Sequence, residues 1–95
     1  MTAYAVAHLR SVDQNAEIAD YLRRIDATLD PFEGRFVVHG VLPEVLEGDW
    51  PGVLVVIGFP DLATARAWYD SHGYQKILPL RQQASEGNVV LVEGV

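Results

Sequence analysis

Along the chain the spacing of apolar positions changes twice, from a period of two to one near 3.6 and back, with no internal repeat and no low-complexity linker. The stretch AYAVAHLR sets Ala5, Ala7 and Leu9 against Tyr4, Val6, His8 and Arg10, which predicts a strand with one small apolar face. Ile18, Leu22, Ile25 and Leu29 then recur at helical spacing, with Asp13 as the expected N-cap and Asp30 and Pro31 as the stop. After a turn at Gly34, RFVVHG alternates again: Phe36 and Val38 point one way, Arg35, Val37 and His39 the other. PEVLEGDWPG reads as a connection broken by Gly48, Pro51 and Gly52. VLVVIGF, apolar almost throughout, reads as a central strand covered on both faces.

Asp61 is placed to cap a second helix whose inner stripe is Leu62, Ala65, Trp68 and Tyr69. Gly73 is expected to break it, and Pro79 to split the following segment, with Tyr74, Ile77, Leu78 and Arg81, into two short turns. NVVLVEGV supplies the last strand. The order βαββαβ predicts an α+β unit with a four-stranded antiparallel sheet in the order 4-1-3-2 and the helices on one face.

Composition narrows the function. Ninety-five residues make one domain, and 49% hydrophobic with 21% charged residues is enough for a core. A domain this small leaves much surface uncovered, so a second copy is the expected cover for the open sheet face. The net charge of −6 and pI near 4.8 repel phosphate backbones and anionic headgroups, which argues against nucleic acid and membrane partners. No cysteine is present, so disulfides and thiolate chemistry are excluded, and the N-terminus lacks the pattern of a signal peptide; the cytoplasm is the expected setting. Three dispersed histidines form no HxH, HxxxH or HExxH motif, and no metal or bound cofactor is expected. Ser11, Ser71 and Ser85 lack a Gly-x-Ser-x-Gly setting, and no Gly-rich phosphate loop is present.

The stretches GRFVVHG, EVLEGDW, FPDLATARAWYDSHGYQ, LPLRQQA and VLVEGV, in this order from about Tyr4 to Val95, resemble the DUF1330 family, small bacterial proteins of the dimeric α/β-barrel superfamily. The resemblance implies a ferredoxin-like protomer whose open sheet face packs on that of a second protomer as a homodimer. It implies no reaction. Relatives by fold, such as cofactor-independent monooxygenases and muconolactone-type isomerases, hold small molecules between sheet and helices. Family members often carry an acid immediately before Phe-Pro, where this chain has Gly58, and a Pro-acid pair where it has His72 and Gly73. No general base is therefore carried over to that strand.

The residues supply their own candidates. Alternation puts Ala5, Ala7, Leu9, Phe36 and Val38 beneath the helices and His8, Arg10, Arg35, His39 and Glu93 on the opposite face. Because the first and fourth strands are neighbours, His8 and Glu93 are candidates for an imidazole–carboxylate pair acting as a base, with His39 toward the far edge. The competing reading is a polar contact in a dimer interface or at solvated strand ends. Tyr74 and Arg81 fall on one helix face and could receive a carboxylate-bearing ligand, the alternative being a local ion pair or stacking contact. Tyr69 is weighed as core against ligand platform, His72 as a solvated turn against a loop contact. Glu44, Glu47 and Asp49 read as a solvated turn beside Trp50, an anchor onto the domain or its partner. Two functions follow: a homodimer that binds or transforms a small organic molecule without a cofactor, its pocket between the sheet and the Tyr69–Arg81 helix, or a non-catalytic dimeric metabolite-binding or interaction module.

Overall fold

A computed structural model describes residues 1–95 as one four-stranded sheet with helices on one side. Strand β1 (Ala3–Val12) is followed by helix α1 (Ala16–Leu29), a 3-10 turn (Asp30–Phe32), β2 (Arg35–Val41), β3 (Val53–Phe59), α2 (Leu62–Asp70), α3 (His72–Ala84) and β4 (Ser85–Glu93). The sheet order is β2-β3-β1-β4 with every pairing antiparallel, the 4-1-3-2 arrangement expected from the element order. The shortest dimension of the chain, 15 Å, holds just these two layers.

The core forms where the small inner face of β1 meets the helices. Ala3 and Ala5 pair with Phe59 and Ile57 of β3, all four buried beneath Ile18, Ile25 and Leu29 of α1, Trp68 of α2 and Ile77 of α3. Burying each large side chain stabilises the fold by about 1.5–3 kcal/mol. Alanines on β1 let the helices come close enough for Trp68, one of the largest fully buried side chains, to fit between them. Its indole donates to the Thr28 hydroxyl at 3.0 Å, so the one polar atom it buries is satisfied.

Local details depart from the periodic reading in three places. Asn15, not Asp13, caps α1, accepting from the Ile18 amide at 3.0 Å, while the Asp13 amide donates to the Ala84 carbonyl. Ile18, Ile25 and Leu29 are buried as expected, but it is Tyr21 that joins them in the core, and Leu22 is left at 47% exposure. Finally, α3 runs unbroken through Pro79: the ring faces solvent while Tyr74, Ile77, Leu78 and Ala84 hold the helix on the core. The break between the two helices falls at Ser71, whose hydroxyl accepts from the Tyr74 amide, and Gly73 sits inside the first turn of α3. Asp61 caps α2 as expected, accepting from the Thr64 amide at 2.7 Å. No helix is long and apolar enough to cross a membrane.

Candidate functional site

Strand β2 does not keep its alternation. Phe36 pairs with Ile57, Val38 with Val56 and His39 with Val55, so Val37 is an inserted residue. The extra residue moves Val38 and His39 to the other face, and a second shift between His39 and Val41 sends Val41 back to the open face. Phe36 and His39 therefore both face the helices, their rings stacked at 3.7 Å, and Val38 turns to the open face. This reverses the expectation for His39 and Val38. A further irregularity at Arg10, between the Leu9–Gly87 and Ser11–Glu86 pairs, returns Val12 to the inner face at the same end of the sheet.

Between this end of the sheet and helices α1 and α3 lies a cavity of about 270 Å³. Its buried depth is formed by Ala5, Ile57, Ile25, Trp68, Tyr21 and Tyr74. The exposed members of its wall, Gln14, Leu22, His39 and Gly40, mark the mouth, with half-buried Arg81 also on the wall. The volume is close to the lower end for ligand-binding clefts, and an apolar wall with a few polar groups is their usual make-up.

The polar groups are two phenols, a guanidinium, an imidazole and an amide. The Tyr21 and Tyr74 hydroxyls are hydrogen-bonded to each other at 2.8 Å in the interior. Burial, reinforced by Tyr74, pushes the Tyr21 phenol far above its ordinary value, so it remains protonated. Burial weighs against the Arg81 charge, but the Tyr74 and Tyr21 phenols facing it outweigh that and hold its pKa above the usual value. No carboxylate is within salt-bridge distance of Arg81; the ion pairs of this chain join Asp20 to Arg23 and Arg24 on α1. A local ion pair for Arg81 is thereby ruled out.

Of the residues singled out from the sequence, His39, Tyr74 and Arg81 are brought together on the cavity wall. Tyr69 packs behind, its ring centroid 5.5 Å from that of Tyr74 and 6.2 Å from that of Trp68, and does not line the space. His72 is exposed at the start of α3. The expected His8–Glu93 pair does not form: Asn88 is the β4 residue opposite His8, while Glu93 is opposite Ala3, at the far end of β1 and on the other face. His8 lies on the open sheet face, where its Nε2 is 2.7 Å from the Pro51 carbonyl oxygen and its ring is stacked 3.9 Å from Trp50. Trp50 is thus an anchor of the β2–β3 connection onto its own sheet. Tyr21 and Gln14 were missed; the signal for Tyr21 was its place three residues after Ile18 and four before Ile25. No group of three or more His, Asp or Glu side chains converges to hold a metal ion.

A family model described as a domain of unknown function, DUF1330, matches residues 2–95. The chain belongs to DUF1330. Solved structures share the DUF1330 chain's fold at low identity. A protein of unknown function from Rhodopseudomonas palustris is 15% identical, with 99% of this chain and 82% of that one covered at a TM-score of 0.72. A dimeric ferredoxin-like protein of unknown function from Jannaschia sp. CCS1 is 14% identical, with 99% and 100% covered at 0.74. SnoaB, a cofactor-independent oxygenase from Streptomyces nogalater, is 17% identical, with 99% and 91% covered at 0.61. No curated protein matches the chain. The fold of this DUF1330 member is ferredoxin-like α+β, as the Jannaschia neighbour is described.

Proposed function

We propose that this DUF1330 chain acts as a homodimer that binds a small, largely apolar organic molecule in the cavity between sheet and helices and transforms it without a bound cofactor. The observation that carries the reading is the convergence of Arg81, Tyr21, Tyr74 and His39 on one otherwise apolar space. His39 is the residue placed to take or give a proton at the mouth, and Arg81 with the two phenols is placed to stabilise negative charge on a bound oxygen. The fold shared with a cofactor-independent oxygenase is compatible with such chemistry and does not select it.

Dimerisation is supported by the open sheet face. Val90 and Val92 of β4 and Val37 and Val41 of β2 are each 47–56% exposed there, beside half-buried Val6 and Val56. An apolar sheet face of this kind is usually covered, and a neighbour of this fold is dimeric. A second reading, a metabolite-binding module without turnover, is favoured by one observation: no carboxylate lines the cavity to serve as a base.

Native mass spectrometry of gently purified protein tests these readings together. A dimer carrying an additional mass that is recovered chemically altered after incubation supports the enzyme. Recovery unaltered supports the binding module. A monomer overturns the dimer, and failure of any small organic molecule to bind overturns the cavity reading.

A further inference from the structure

Resting on the reading of the cavity as a binding site, we propose that its ligand is an apolar monocarboxylate, with the acid group held by Arg81 and the Tyr21–Tyr74 pair and the hydrocarbon body lying inward toward Trp68. The chain carries 13 acidic residues and a net charge of −6, yet no Asp or Glu lines this space. Arg81 is therefore a cation on a largely apolar wall without a counter-charge. The half-buried guanidinium has phenols beside it but no anion, and a carboxylate answers it with two parallel, charge-assisted hydrogen bonds.

The phenols point the same way. Two hydroxyls supply two protons, and the bond between them uses one. The hydroxyl that accepts keeps a proton, which can be donated to a carboxylate oxygen held at Arg81. Both phenols line the same cavity as Arg81, and Tyr21 stays protonated because burial disfavours its phenolate.

Charge and volume narrow the class further. One guanidinium in a chain of net charge −6 neutralises a single negative charge, which disfavours dianions such as phosphate monoesters. About 270 Å³ admits a ligand on the order of ten non-hydrogen atoms, judged against about 30 Å³ for each water. Fifteen of the 19 wall residues are hydrophobic, which favours a largely hydrocarbon body beyond the acid group.

Phenylacetate and phenylacetamide, nearly identical in shape and different in charge, decide the point. Calorimetric titration is paired with the arginine Nε–Hε NMR signals of labelled protein, the Arg81 signal being assigned by its disappearance in Arg81→Lys. The acid is expected to bind at least tenfold more tightly, to shift the Arg81 signal alone among the arginines, and to lose its advantage in Arg81→Met. Equal binding of acid and amide would leave the cavity a small-molecule site and overturn the carboxylate assignment. Binding of neither at millimolar concentration overturns both. Should Arg81→Met fail to fold, the Arg81 signal in the unmodified protein gives the same decision.

Discussion

Phe36 and His39 stack with ring centroids 3.7 Å apart and planes 10° from parallel, although regular alternation would send residues three apart on a strand to opposite faces. The inserted Val37 makes the contact possible, and β2 can accommodate it because it is an edge strand, with pairing to satisfy on only one side. The same irregularity brings an imidazole to the mouth of the cavity.

Deleting Val37 tests that assignment. The ring of Phe36 shields a stacked imidazole, so the His39 ring protons resonate upfield in the intact protein. The deletion closes the bulge and leaves Phe36, Val38 and His39 opposite Ile57, Val56 and Val55 in regular alternation, so His39 stays on the inner face and its ring protons should remain upfield. A return of those signals to positions near those of an unstructured peptide would show that Val37 is not the inserted residue.

Tyr21 and Tyr74 should be coupled. Each Tyr→Phe change removes one end of a buried 2.8 Å hydrogen bond and is expected to cost about 1 kcal/mol. The double change should cost clearly less than the sum, since the second removal leaves no partner behind. Urea denaturation of the four proteins measures the difference, and strict additivity would mean that the bond contributes nothing.

Stability should fall at alkaline pH. The native Tyr21 phenol is held above the ordinary value of 10.0, so above about pH 10 the unfolded chain releases a proton that the native chain keeps. The contribution is therefore fully present below pH 10 and declines above it, by up to about 1.4 kcal/mol per pH unit. Tyr21→Phe should flatten the decline, which denaturation curves collected between pH 8 and 11 would show.

Two glycines with positive φ should respond differently to alanine. At Gly52 (φ +92°) a Cβ would stand 1.9 Å from the Leu9 carbonyl oxygen, so β1 or the connection must move. At Gly40 (φ +67°) the space is open and only the backbone preference is lost, about 1 kcal/mol. Gly52→Ala should be the more destabilising by at least about 1 kcal/mol in thermal or urea unfolding, and equal effects would contradict the close approach.

The open sheet face can be tested at Val90, 54% exposed on β4. Val90→Glu should leave the folded protomer within about 0.5 kcal/mol of the original, as surface substitutions usually do. It should convert a dimer to a monomer in light scattering, because an unpaired carboxylate would be buried against the second copy. A dimer that persists would place the contact elsewhere.

The sequence by itself determined the order of elements, the sheet topology and the identity of the inner face of β1. Each of these follows from a period sustained over several residues: Ala3, Ala5 and Leu9 are buried on one side of β1, and Ile25, Leu29 and Trp68 are buried on their helices. The family was legible for the same reason, through motifs spread along almost the whole chain. The site was only half legible. Tyr74 and Arg81 belong to one helix, whose rotation is set by the core residues around them, and both reach the cavity. Tertiary structure decided the rest. It extended α3 through Pro79 because core packing outweighed a missing amide, and it turned His39 inward through one inserted residue. It also separated His8 from Glu93, since register depends on how two distant strands pair. Periodicity reports a residue's neighbours along the chain; bulges, register and the partner that a phenol or guanidinium meets are set by chain segments brought together only on folding.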